Sequence, residues 1–426
     1  MPEVDKPEIL QLVSKLDDFD INIRMDSLRK LKEKGGYPGK SKGYTNMHCH
    51  TFYSFNSYGY SPAHVAWNAY KEGLDITGII DFDTLDGMEE IFEAGEMLGI
   101  KTTANIETRV FIKDYADKEL CSPKEPGIAY FMGIGFYKPP SPGTKADATL
   151  KKMKSIAQKR NLQVIIKVNE YLSPIELDYE KDAVPLTPKG NVTERHIVTA
   201  YVNKVKQYFK NDTGKVINFW SKKLEMDEKS ITKIIDNLPV LYDTVRARLI
   251  KFGGVGYIKP TPETFPTIEE TIAMIRDTDA LPAYGWLDGT SAGEKNVKEL
   301  LQFLLKKGVL IQNTIPDSKN WSNKDDNERA VKIRNFGVLV KTAKELDLPL
   351  IAGTEMNKYG QKFVDEFESP ELKPYVEDFR KGALLVYGHT QLGKNENKGF
   401  NSDWAAKSFP DRAQRNEFFI KKGELR

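Results

Sequence analysis

The chain has 426 residues, 40% hydrophobic and 29% charged, with a formal net charge of +2 at pH 7. That balance suits a soluble globular protein of one large domain or two to three smaller ones, and it says little about partners. No apolar run approaches the roughly 20 residues that span a membrane, and no tract is basic enough for its charge to argue for nucleic acid.

The segment Met1-Pro2-Glu3-Val4-Asp5-Lys6 has no basic region followed by an apolar one, so no secretory signal is expected. Residues 7–34 predict an amphipathic helical extension that buries Ile9, Leu12, Leu16, Ile21, Leu28 and Leu31. Gly35-Gly36-Tyr37-Pro38-Gly39 ends it as a linker. The next segment reads as a short strand closing on Asn46-Met47-His48-Cys49-His50. Strand alternation puts His48 and His50 on one face and turns Cys49 into the core. Cys49 and Cys121 are too few for a disulfide framework, so a reducing cytoplasm is the expected location.

From Tyr44 onward, strands and helices alternate. Helices are predicted to start at Ser61-Pro62, a cap followed by proline at the first helical position, and near Asp86-Gly87. Strands are predicted at 76–82, 103–112, 128–136, 163–168, 281–286, 309–314, 348–353 and 383–388. Such alternation argues for an α/β fold with a largely parallel sheet or barrel. Residues 187–255 break the rhythm with four helices, 193–209, 216–223, 229–237 and 241–252. Between Lys204 and Lys251 there are 11 Lys/Arg against 6 Asp/Glu. This segment reads as an insertion between two barrel strands, either covering an active site or decorating the surface.

Paired imidazoles with carboxylates at the next strand ends (Asp81 and Asp83, then Glu107) form a donor set for a transition metal; a lone H-x-H would be weak evidence. The residues carry a resemblance. The order H-x-H-T-x-Y-S, Ser61-Pro62, Gly73-Leu74-Asp75, I-I-D-x-D-T-x-D-G and a strand bearing Glu107 resembles the PHP (polymerase and histidinol phosphatase) superfamily. Leu281-Pro282-Ala283-Tyr284-Gly285, Gly353-Thr354-Glu355-Met356-Asn357 and Glu194-Arg195-His196 lie where relatives carry A-H-P, G-S-D-x-H and R-x-H. The resemblance covers roughly residues 44–395.

It implies a distorted parallel (β/α)7 barrel with metals at the C-terminal strand ends. The N-terminal helical extension and linker would occupy 1–43 and the barrel 44–186 and 256–426, the latter with C-terminal helices. The helical insertion domain would occupy 187–255. It also implies up to three metals, a water of lowered pKa and phosphoester hydrolysis. Several liganding positions of the family are lost here: Phe55, Phe82, Tyr130, Tyr284 and Asn357 replace acids or histidines. What survives is His48, His50, Glu107 and, as an Asp-to-Glu change, Glu355. One divalent ion per chain (Zn, Mn or Fe) is therefore expected, or a vestigial site in which the histidines only make hydrogen bonds. The aromatic replacements are expected to line the place of the missing metals.

Four further residues are candidates for catalysis. Arg109 shares a face with Glu107 and would bind phosphate or orient an acid. Asp81 would support a ligand histidine, while Asp83 would cap the following helix. His196 would reach substrate from the insertion or sit half-buried in its helix. His389, after an apolar strand, would supply a proton or a hydrogen bond. His64 is expected to be structural. These readings converge on a PHP-like metal-dependent hydrolase. Its expected substrate is a phosphorylated small molecule or a nucleotide-like phosphoester. Two alternatives stand beside it: a retired domain that binds a ligand or regulates, and a single-metal hydrolase that has left phosphate chemistry.

Overall fold

The computed structural model describes residues 6–34, 38–261, 263–316 and 325–425. The expectations for Met1–Asp5 and for the linker residues Gly35, Gly36 and Tyr37 lie outside the described residues.

The N-terminal extension is helical but broken. Helix α1 (Lys6–Ser14) passes through a short 3-10 turn into α2 (Ile21–Glu33). The break is set by Asp20, whose side chain accepts the Asn22 N–H at 2.8 Å and caps α2. The cap leaves Ile21 at the first helical position facing out, 41% exposed, which corrects its expected burial. Leu12, Leu16, Leu28 and Leu31 are buried as expected.

Seven strands form one sheet in sequential order: β1 (Thr45–Cys49), β2 (Ile76–Phe82), β3 (Lys101–Phe111), β4 (Ile128–Phe136), β5 (Leu281–Trp286), β6 (Ile311–Thr314) and β7 (Leu350–Ala352). All neighbours are parallel except β4, which runs antiparallel to β3 and β5. A bridge between Cys49 and Glu355 brings the end of β7 back to β1 and nearly closes a barrel. Helices α3 (Pro62–Glu72) and α4 (Met88–Leu98) begin where their signals place them, α3 with Ser61 as its cap.

Two predicted strands are helices instead. Residues 163–168 lie within the 28-residue helix α5 (Lys145–Leu172). Its β-branched run resembles a strand, yet Val164, Val168 and Leu172 are buried at helical spacing while Ile166 is exposed. Residues 383–388 lie within the helix Val376–Glu396. That helix is buried over several turns, so its continuous apolar run imitates a central strand. Ala383, Leu384, Leu385 and Val386 pack with Ile76, Ile80, Met132, Ile134, Ala283 and Ile351 of the barrel.

Between β4 and β5 come α6 (Glu194–Tyr208), α7 (Thr213–Leu224), α8 (Glu228–Ile234) and α9 (Leu238–Leu249). They build a core of their own around Ile197, Tyr201, Trp220, Leu241 and Val245, and Val164, Val168 and Leu172 of α5 belong to it.

Candidate metal centre

The register of β1 against β2 shifts between Asn46 and Cys49, and the strand delivers His48 and His50 to one place. Their ring centroids are 5.3 Å apart, while Cys49 is buried in the outer core. The end of β7 backs directly onto this segment. A Cβ on Gly353 would lie 2.3 Å from the His48 amide nitrogen, so only glycine permits the approach. Next, Glu355 N donates to His48 O at 2.8 Å, and His50 N donates to Glu355 O at 2.9 Å. Glu355 and Met356 both hold left-handed backbone, φ 64° and 58°. Non-glycine residues adopt it only where the surroundings enforce it.

Four side chains meet at this point. Glu107 Oε2 lies 3.0 Å from His50 Nε2 and 3.6 Å from His48 Nε2. Glu355 oxygens lie 3.8 Å from each histidine Nε2. Donor atoms of His48, His50 and Glu355 fall within 4.8 Å of one another. His48, His50 and Glu107 are almost wholly buried, whereas the Glu355 side chain keeps 25% exposure toward the cavity. Yet His48 Nε2, His50 Nε2 and Glu107 Oε2 have no hydrogen-bond partner. Buried polar atoms are normally paired.

The network behind His50 explains more. Asp81 accepts from Thr51 N at 2.8 Å, Thr51 Oγ1 at 2.6 Å and Ser54 Oγ at 2.6 Å. Three donors point at it, so it serves as a carboxylate although burial pushes its pKa up. Ser54 gives its proton to Asp81 and can only accept from His50 Nδ1, 3.1 Å away. The proton of His50 is thereby placed on Nδ1, and its Nε2 lone pair faces the Glu107 carboxylate. Two acceptors at 3.0 Å leave room for a cation, and the donor atoms of His48, His50 and Glu355 lie close enough together to share a divalent ion, with Glu107 beside the two imidazoles. Burial alone would raise the Glu107 pKa, but with no cation bound, positive charge on His48 outweighs it and holds it at about 2. Burial disfavours a charged His48, yet Glu107 and Glu355 raise its pKa.

A cavity of about 580 Å³ opens from this centre. Phe55, Phe82 and Tyr130 line it, as expected of the aromatic replacements, and so does Asn357. Phe82 stacks on His50 with centroids 4.7 Å apart. Tyr284 does not join them. Alternation along β5 turns it outward, where its hydroxyl donates to Glu294 at 3.1 Å, and Gly285 opens to the cavity instead. Asn313, at the end of β6, also lines the cavity with both side-chain polar atoms buried and unpartnered. Its position at a strand's C-terminal end was the available signal, and residue type alone did not single it out.

The structure places the other candidates apart. Arg109 lines the cavity, but its fork is taken by Glu125 at 2.9 Å and Glu194 at 3.4 Å. His196 occupies the capping box of α6, where its Nδ1 accepts the Thr193 N–H at 3.1 Å. Desolvation pushes its pKa down to about 3. Its neighbour Arg195 lines the cavity instead. His389 lies mid-helix, not at a strand end. Its Nε2 meets Gly135 O at 3.2 Å, and its Nδ1 accepts the Phe400 N–H at 2.9 Å. Gly135 lies beside Ala104 in the lower half of β3, while Glu107 and Arg109 lie toward the C-terminal end. His389 therefore stands away from the centre.

Asp83 caps no helix, because α4 starts at Met88 behind Gly87. It holds a left-handed turn, accepts from Thr108 Oγ1 at 2.6 Å and lines the cavity. His64 is structural, its Nδ1 2.7 Å from Asp17 of the extension. The insertion is more than surface decoration: Thr193, Glu194 and Arg195 of its first turn, with Arg246 and Lys251 at its far end, line the cavity.

No family model and no curated relative matches the chain. Among solved structures, it is similar to a candidate metal-dependent phosphoesterase from Bifidobacterium adolescentis. The identity is 16%, over 80% of this chain and 97% of the other, with a TM-score of 0.49. It is also similar to an amidohydrolase from Chromobacterium violaceum, solved with bound sulfate and no metal. There the identity is 13%, over 80% of this chain and 96% of the other, with a TM-score of 0.51. At such identities the likeness concerns the fold. Together with the sequential strand order, it shows a nearly closed, largely parallel seven-stranded α/β barrel, with an H-x-H pair at the end of its first strand.

Proposed function

We propose that the chain is a metal-dependent hydrolase of phosphoesters, with His48, His50, Glu107 and Glu355 holding one divalent ion. The observation that carries this reading is the set of buried, unpartnered donor atoms facing one another at the mouth of the cavity. A divalent ion bound there would lower the pKa of a water and offset charge on a phosphoryl group. The chain's own part is to keep the His50 proton on Nδ1 through Ser54 and Asp81, to exclude bulk water with Phe82 and Tyr130, and to bind an anionic substrate against the insertion. The substrate class proposed is a phosphorylated small molecule or a nucleotide-like phosphoester. A cytoplasmic location accords with two buried free thiols and with the lack, among the described residues, of a helix able to cross a membrane.

Metal analysis of the purified protein tests the reading. About one tightly held equivalent of Zn, Mn or Fe is expected, lost in His48→Ala and Glu107→Ala together with turnover of a phosphoester panel. No bound metal and no turnover with added Mn, Zn or Fe would favour a ligand-binding or regulatory module. The stacking of Phe82 on His50 is the observation on that side. Metal without phosphoesterase activity would point to hydrolysis of another electrophile.

A further inference from the structure

The cavity wall built by β3, α5 and the insertion carries Arg109, Arg160, Arg195, Arg246 and Lys251. Four of these have carboxylate partners. Arg109 pairs with Glu125 and Glu194, Arg246 and Lys251 share Glu194 at 3.1 and 3.0 Å, and Arg195 meets Asp243 at 3.2 Å. Among the described residues, Arg160 has no carboxylate within the 4.0 Å of an ion pair. Its Nη1 donates to Thr264 O at 3.0 Å, and its Nε is buried without a partner. Its guanidinium lies 4.5 Å from the centroid of the Phe265 ring, and that of Arg109 lies 4.7 Å from the same ring. The charges of Asp83, Glu194 and Glu125 reach Arg160 without contact, and each of these carboxylates has a partner of its own, Thr108 for Asp83 and Arg109 for the other two. Burial and the nearby Arg109 push the Arg160 pKa down to about 10, so it stays cationic at neutral pH.

A half-buried cation with a buried, unpaired Nε and no carboxylate in contact is left short of hydrogen-bond acceptors and of direct counter-charge. A second guanidinium on the same ring adds repulsion. One bound anion would offset both, and a guanidinium presents planar donors suited to carboxylate or phosphate oxygens. We propose that Arg160 anchors an anion subsite that takes a phosphate or carboxylate group of the ligand, apart from the group that meets the histidines. Arg109 marks the scale: two residues beyond Glu107 on β3 is about 7 Å along the strand. If the hydrolase reading holds, the substrate carries an anionic group some bonds removed from the one at the metal centre. The subsite itself requires no bound metal.

Calorimetric titration of the metal-free full chain with inorganic phosphate, and separately with succinate, tests this. Arg160→Gln is expected to weaken binding at least tenfold, with Arg160→Lys between it and the parent, while His48→Ala binds like the parent. The preferred probe tells phosphate from carboxylate. Unchanged binding in Arg160→Gln overturns the subsite, as does loss in His48→Ala with Arg160→Gln unaffected, or no anion binding at all. Should Arg160→Gln fail to fold, Arg160→Lys and a sulfate-soaked crystal of the parent decide. An ion on the Arg160 guanidinium supports the subsite. An ion only at the histidines, or no ion, overturns it. Loss of metal and turnover in His48→Ala bears on the hydrolase reading alone.

Discussion

Replacing Asp81 by asparagine changes one atom in the network behind His50, and its effect can be worked through. The carboxylate accepts three hydrogen bonds, two from Thr51 and one from Ser54, and so fixes the direction of the Ser54 hydroxyl. An asparagine amide offers a single oxygen and a donating NH2. If the NH2 faces Ser54, the hydroxyl turns its proton toward His50 Nδ1, and the ring must carry its own proton on Nε2. That tautomer has no lone pair to offer on the side of Glu107 and Glu355. Loss of such an orienting partner costs about 10–100-fold in metal affinity, which is about 1.4–2.8 kcal/mol. Stability should fall by about 1–3 kcal/mol for the broken charge-assisted bonds. Metal affinity is measured by competition with a chromophoric chelator, and stability by urea unfolding of the metal-free protein. Ser54→Ala, which removes the acceptor of the His50 proton, should shift affinity in the same direction. Asp81→Asn protein that folds and binds metal within about twofold of the parent would refute the tautomer argument.

Other consequences follow from buried contacts. Gly353→Ala would put a Cβ 2.3 Å from the His48 amide; separation of β7 from β1 should lower both stability and metal stoichiometry, read by thermal melts and metal analysis. Arg24, 1% exposed and bonded to Glu90 and Tyr53, ties the extension to α4 and to the loop after His50. Arg24→Ala should cost about 3–5 kcal/mol by leaving the buried Glu90 without its counter-charge, held only by the Ala63 N–H and the Tyr53 hydroxyl, and Arg24→Met with Glu90→Leu should recover much of it in urea melts. Burial holds His389 neutral with its pKa down at about 4, against about 6.5 in the unfolded chain. Below pH 6.5 the unfolded state takes up a proton that the native state refuses, so this histidine makes stability fall with falling pH down to about 4. The loss reaches about 3 kcal/mol. His389→Gln should flatten the pH dependence of urea midpoints, and an unchanged slope would contradict the assignment.

Much of the site was legible before the structure. His48 and His50 were readable from alternation in a short strand, Glu107 from the apolar strand that bears it, and Glu355 only through the family resemblance; Glu107 proves to lie four residues before the end of β3. Arg109 shows the limit. Its face was right, but Glu125 and Glu194, which occupy its fork, come from a loop and from the insertion, and no local pattern links them to it. Tyr284 shows another: an error of one residue in placing a motif on β5 reverses the face, so Gly285 rather than the tyrosine opens to the cavity. His196 was singled out by its place in the resemblance and His389 by an apolar run read as a strand, yet both are buried, neutral and engaged with backbone groups.

What the sequence by itself determined is therefore local: the paired imidazoles on one face, the alternating strands and helices, the caps, and the loss of most additional liganding positions. The first three follow from covalent spacing and from the periods of strand and helix, and the last from the family resemblance. The tertiary structure decided what long-range packing controls. It made helices of two apolar runs, one sharing the core of the insertion and the other packed against the barrel interior. It carried Glu355 back to His48 across the closing bridge, left facing atoms of His48, His50 and Glu107 buried without hydrogen-bond partners, and set Arg160 on the cavity wall with no carboxylate in contact. The cost of burying an unpaired polar group is created only when the chain closes around it.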